Sequence, residues 1–310
     1  MSRQASYPSR RGEPPPRAFF GPPRPGPGDR SFRLELGALK LTLERLDTER
    51  ERDLCERFGP YAAAATSTPD DALRIEVGIE DRAYFVTPPD TPELNPVFLA
   101  FDADGGVRYL AYKAAGWLDP QQRKGALLLA RGSYEPDVRA IENYVRVAVA
   151  WLAIAKGGAL VHAASAVWNG NGYLFYGESG AGKSTLAECN ERARIVSDDL
   201  SLVLPDAGGK LHLVGSPFRG TFEGGPPVHG TFPLAAGFRL IQAEEARVEP
   251  VPRPRALAEL IGSLPFVAES LAERPEVLTQ VQAAFALIPL GHLRFQKDDS
   301  YWDAVAAAGL

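Results

Sequence analysis

Apolar and polar residues alternate along much of the first half of the chain, which predicts strands. FRLEL and LKLTL flank Gly37-Ala38 and read as a hairpin. A charged helix is predicted near residues 48–58, and Leu73, Ile75, Val77 and Ile79 mark another strand. VFLAFDADGGVRYLAYK reads as two strands around a turn at Asp102–Gly106, and GALLLAR as one more. Near Pro136 the period changes. Ile141, Val145, Ala148, Val149 and Leu152 form one face of a long helix, which Pro136 starts and KGG ends. ALVHAASAVWNGNGYLFYGESGAGKST then reads as strand, Asn-Gly hairpin, strand, glycine loop and helix. RIVSDDLSLVLPDAGGKLHLVGSP supplies three further strands. The tail alternates GFRLIQ and HLRFQ with helices near 254–262, 274–287 and 300–308.

This pattern predicts an α/β class with a mixed sheet in three parts. Residues 1–30 are a tail, 31–134 a strand-rich domain without a catalytic constellation, and 135–310 a domain built around the glycine loop. The tail holds eight prolines and six arginines, so the expectation is disorder. It has no apolar core of a signal peptide.

Composition narrows the function. The chain has 310 residues and a net charge of −5, which gives no basic excess for nucleic acid. Its longest apolar run, VAVAWLAIA, is too short to span a bilayer, so no membrane role is expected. Cys55 and Cys189 show neither metal spacing nor a disulfide framework, which points to a reducing cytoplasm.

The chemistry concentrates in GESGAGKST: Gly177, Glu178, Ser179, Gly180, Ala181, Gly182, Lys183, Ser184 and Thr185. It fits G-x-x-x-x-G-K-[ST] between a strand and a helix. Such a loop wraps backbone N–H groups around phosphates, here those of ATP. Lys183 can reach the β- and γ-phosphates, and the Ser184 hydroxyl can ligate Mg²⁺. The plain alternative is an ordinary glycine turn. Asp198 lies fifteen residues beyond Lys183, with Asp199 beside it. A carboxylate at a strand end near phosphates can hold Mg²⁺ or accept a proton. Adjacent strand residues point to opposite faces, so only one of the pair is expected to reach the site, and the residues alone do not divide the roles. His162 alone could also be a satisfied core histidine.

LVHAASAV, GESGAGKST, IVSDDL and GSPF, in this order, resemble the HPr kinase/phosphorylase catalytic domain and its relatives, some of which phosphorylate precursor peptides. The likeness covers about residues 158–220. It implies the phosphoenolpyruvate-carboxykinase-like P-loop kinase fold and transfer of a phosphoryl group to a hydroxyl, a serine of a peptide or protein foremost. A small-molecule hydroxyl or a non-catalytic ATP-binding module are the alternatives. By the resemblance His162 matches the histidine beside the catalytic aspartate, Asp198 the general base and Asp199 a carboxylate on the metal side. The family's later glycine-rich signature has no match, and GSPFRGTFEGGPP offers Arg219 and Glu223 in its place. Assembly of identical copies is left open.

Overall fold

The computed structural model describes residues 12–21, 26–63, 71–90, 96–220, 222 and 224–310. Contacts divide the chain into two compact units, residues 1–35 with 39–148, and 36–38 with 149–310. Among the described residues no helix is long and apolar enough to cross a membrane.

The first unit holds β1 (Arg30–Leu36), β2 (Leu39–Leu46), α1 (Thr48–Phe58), β3 (Ala62–Ala63), β4 (Leu73–Glu80), β5 (Phe98–Phe101), β6 (Val107–Leu110), β7 (Ala114–Asp119) and β8 (Lys124–Ala130). Helix α2 (Asp137–Ala155) follows, and the division between the units falls within it. One sheet orders its strands β3-β1-β2-β4-β8-β7-β6-β5. The β2–β4 and β4–β8 pairs are parallel, while β5 to β8 form an antiparallel meander. Asp47 caps α1 by accepting from the Arg50 N–H, and Arg57 holds Glu142 of α2 through two bonds of 2.7 Å.

The tail departs from expectation where it is described. Arg17–Phe20 is a short helical turn, and Phe20 is buried with Phe85, Leu110 and Tyr112. Arg17 lies 2.9 Å from Asp102 and over the Trp117 ring. Phe20, together with the buried Pro14 and Pro15, supplies the burial that the composition argument did not credit, so the disorder expected over 1–30 does not hold for residues 12–21 and 26–30; residues 1–11 and 22–25 lie outside the described residues.

The second unit holds β9 (Ala159–Trp168), β10 (Asn171–Tyr176), α3 (Lys183–Glu188), β11 (Arg194–Ser197), β12 (Leu200–Pro205), β13 (Leu211–Val214), β14 (Thr231–Gln242), β15 (Arg247–Pro250), α4 (Arg253–Ile261), α5 (Pro275–Ala284), β16 (Leu290–Phe295) and α6 (Tyr301–Ala307). The strand order is β10-β9-β12-β13-β14-β16-β15, with β11 also on β9 and β10 also on β14. The β10–β14 and β14–β16 pairs are parallel and the others antiparallel. Both units are therefore mixed α/β with mixed sheets.

The pairing along β9 places the site. β12 pairs with Ala159–His162 and, in continuous register, β11 with Ser165–Val167, while β10 pairs with Ala163–Trp168. β14 begins on β13 and continues on β10. β10 ends at Tyr176, opposite Ala163, and β12 begins at Leu200, opposite His162. The end of β10 and the break between β11 and β12 therefore lie at the same point of β9. The segments just outside them, 177–182 and 198–199, meet there. The core behind that point packs Phe175, Phe238 and Leu186 on Tyr301 and Trp302 of α6, with Trp168 stacked on Trp302 at 4.8 Å.

Candidate active site

The glycine loop leaves β10 at Tyr176 and enters α3 at Lys183. Gly177, Gly180 and Gly182 all have positive φ, where side-chain-bearing residues are strained. At Gly182 a Cβ would also stand 2.5 Å from the Phe295 ring. The Lys183 ammonium folds back over the loop and donates to the Gly177 carbonyl at 2.9 Å and the Glu178 carbonyl at 3.2 Å. Burial holds the Lys183 pKa below its ordinary value, with Asp199 opposing that shift.

Strand β11 stops at Ser197, so the aspartates sit in a bend, not on a strand. The buried Ser197 hydroxyl builds that bend. It accepts the N–H groups of Asp199 and Leu200, both at 3.1 Å, and donates to the Phe218 carbonyl at 2.7 Å. Strand alternation therefore does not apply, and both aspartates line one cavity. This corrects the expectation that only one of them reaches the site.

Their surroundings differ. Asp198 is 4% exposed. Its Oδ1 accepts from the Gly220 N–H at 2.7 Å, and its Oδ2 from the Phe222 N–H at 3.1 Å and the Ser184 hydroxyl at 3.4 Å. Asp199 lies beside His162, with Oδ1 3.5 Å from Nε2. Burial and then the Lys183 charge lower the His162 pKa, while Asp199 raises it. The histidine thus partners Asp199, and Ser184 partners Asp198. Both pairings are the reverse of those the resemblance implies, because the bend turns Asp198 back toward the loop's helix and the segment at 220–222.

The cavity encloses about 400 Å³. Ser179, Gly180, Gly182, Lys183, Ser184 and Thr185 line it with His162, Asp198 and Asp199. Gly177 and Glu178 face a neighbouring cavity, and Ala181 packs against the core. Arg219 is absorbed elsewhere: its guanidinium donates to the carbonyls of Gly225 and Pro226 at 3.0 and 2.9 Å. Glu223 lies outside the described residues. Sequence reasoning missed Gly220, Gln242 and Lys297, which also line the cavity. Gln242, which donates to the Gly180 carbonyl at 2.9 Å, ends a strand that the alternation did predict. Lys297, in a polar turn, gave no signal.

Among the described residues no group of three or more His, Cys, Asp or Glu side chains is set to hold a metal. A cation with Asp198, Ser184 and water or phosphate oxygens as ligands suits this donor set. Mg²⁺ commonly binds through one or two carboxylates plus substrate phosphates.

A mixed sheet that delivers a glycine loop into a helix, with a lysine folded over that loop, defines the class: an α/β protein of the strand–loop–helix kind. Residues 136–305, more than half of the chain and all of the site, match the family described as SynChlorMet cassette protein ScmC. The chain belongs to this ScmC family. A comparison with curated proteins finds no match.

Proposed function

We propose that the chain is an ATP-dependent phosphotransferase that moves the γ-phosphoryl group to a hydroxyl, foremost a serine of a peptide or protein. On this reading the second unit is an HPr kinase-like P-loop domain of the phosphoenolpyruvate-carboxykinase-like fold, acting in the cytoplasm. The observation that carries the reading is the convergence of Lys183, His162 and Asp199 on the cavity that the loop lines. A module that only bound nucleotide would have no use for a histidine–aspartate pair there.

Backbone N–H groups of residues 177–185 and the Lys183 ammonium hold the phosphates of ATP and stabilise charge on the transferring group. Asp198 and Ser184 would hold Mg²⁺, which supplies neutralisation of phosphate charge. Asp199 takes the proton of the incoming hydroxyl, and His162 keeps that carboxylate in place. The acceptor oxygen forms a bond to the γ-phosphorus. The bond from that phosphorus to the bridging oxygen breaks, and ADP leaves with its electron pair. Most of the acceleration comes from positioning and electrostatics.

Calorimetry with Mg-ATP tests the site. Lys183→Ala should weaken binding at least tenfold, about 1.4 kcal/mol. Unchanged affinity would remove the loop from the nucleotide site. Transfer itself is read with γ-labelled ATP and peptides encoded beside the gene.

A further inference from the structure

A second cavity, of about 430 Å³, lies across His162 from the first. The imidazole lines both, so it stands between the phosphate loop and whatever enters from the far side. The far walls come from β10, β14 and α4, and carry Tyr176, Arg239, Arg255 and Glu259.

Three features give this cavity the build of a binding site. First, one carboxylate organises its cations. The Glu259 side chain, nearly buried, lies 3.2 Å from Arg239 Nη1 and 3.0 Å from Arg255 Nε, and pairs with His292 at 2.8 Å. Second, the guanidinium groups keep donors in reserve. Arg239 also reaches Glu178 of the loop at 3.2 Å, while the two terminal nitrogens of Arg255 have no protein partner among the described residues. Third, Tyr176 closes this wall as a fully buried side chain whose hydroxyl is sealed from solvent.

The open guanidinium nitrogens are donors only, so they fit an acceptor-rich ligand. The two arginines are balanced by Glu178 and Glu259. A lining without excess positive charge suits a singly charged carboxylate better than a doubly charged phosphate. A volume of this order holds a small molecule or a single residue with its neighbour.

We propose that this cavity takes a phosphoryl acceptor that carries a carboxylate near its hydroxyl, the carboxylate on Arg239 and Arg255 and the hydroxyl toward His162 and Asp199. This rests on the phosphotransferase reading above. A free hydroxy acid and a peptide with a serine beside a carboxylate share that chemistry.

Calorimetry separates the cases. The probes are L-lactate, L-glycerate and acetyl-Ser-Asp-amide, each paired with its uncharged amide counterpart. Each is titrated with and without Mg²⁺ and a non-hydrolysable ATP analogue. At least one carboxylate probe should bind, at least tenfold more tightly than its counterpart, and alongside the nucleotide. Arg255→Gln should weaken that probe at least tenfold, and Arg255→Lys by less. The Arg255 side chain is 65% exposed, so both variants should melt like wild type. Binding of the acids alone identifies a small-molecule acceptor, and binding of the peptide alone a peptide one. Absence of binding by every carboxylate probe overturns the proposal, as does equal binding of acid and amide. Competition between probe and nucleotide also overturns it, because the cavity would then belong to the nucleotide. Failure of the nucleotide analogue to bind is read separately and sinks the phosphotransferase reading instead.

Discussion

Asp198 and Asp199 are neighbours in sequence, and replacing each in turn by asparagine should give opposite phenotypes. The Asp198 carboxylate is buried and accepts two backbone N–H groups and a hydroxyl. Asparagine keeps one acceptor oxygen and turns an NH₂ group toward one of the two amides, donor against donor. Losing a hydrogen bond to a charged group removes about 1.5–3 kcal/mol, and stranding a buried donor removes about 1–3 more. Asp198→Asn should therefore lower stability by roughly 3–5 kcal/mol. The Asp199 side chain is 29% exposed and touches His162 at 3.5 Å. A partly solvated pair of this kind is worth at most about 1 kcal/mol.

Urea unfolding reads the difference directly. The midpoint of Asp198→Asn should fall with the slope unchanged, and that of Asp199→Asn should stay near wild type. Activity should divide the other way. Asp199→Asn keeps Mg-ATP affinity but loses transfer by roughly 10²–10⁴, the usual worth of a general base. Equal stability in the two variants would refute the hydrogen-bond argument for Asp198. Undiminished transfer in Asp199→Asn would refute its role as base and return that role to Asp198, where the family resemblance puts it.

Three further outcomes are expected. Gly182→Ala brings a Cβ to 2.5 Å from Phe295 at a φ of +105°, so crowding should cost about 1–3 kcal/mol in thermal melting; an unchanged melt would mean the loop moves aside freely. Phe20→Ala empties a buried site in the first unit and should lower urea stability by about 3 kcal/mol, whereas no change would mean that residues 12–21 are a dispensable strap. His162 has a folded pKa below its ordinary 6.5, so the unfolded chain binds more protons between those two values and the protein gains stability as pH rises through that window. Relative to His162→Gln, wild type should thus gain stability as pH rises toward the ordinary 6.5 and hold that gain above it; a constant difference would refute the burial argument.

What could be read from the sequence was what local spacing controls. β1, β2, β4, β6 and β8 and the start of α2 follow from alternation, helical period and turn residues. β7, AAGWLD, escaped because it has no β-branched residue and begins with three small ones. The fold explains them: a Cβ on Gly116 would stand 2.7 Å from the Tyr144 ring, and Tyr144 donates to the Trp117 carbonyl at 2.6 Å. A distant tyrosine, not strand propensity, sets the composition of that strand. β15 escaped for a different reason. It is a short, charged strand that among the described residues is bonded only to β16, and such edges carry little pattern.

The site divides along the same line. The glycine loop is a local device, and its spacing carries its chemistry. The roles of the aspartates are not local. They depend on the Ser197 hydroxyl ending β11 early, and on Gly220 and Phe222 returning more than twenty residues later to bind Asp198. His162 belongs to the site for a reason that alternation cannot register. It faces Leu200, the first residue of β12, and its neighbour Ala163 faces Tyr176, the last residue of β10. One point on β9 thus lies beside both the end of β10 and the break between β11 and β12. The chain leaves the first as the loop of Lys183 and crosses the second as the bend of Asp198 and Asp199. A second cavity beyond His162 is walled by Tyr176, Arg239 and Arg255 from three separate elements. His162 lines both cavities because cross-strand pairing, which the alternation of β9 does not encode, sets it at that point.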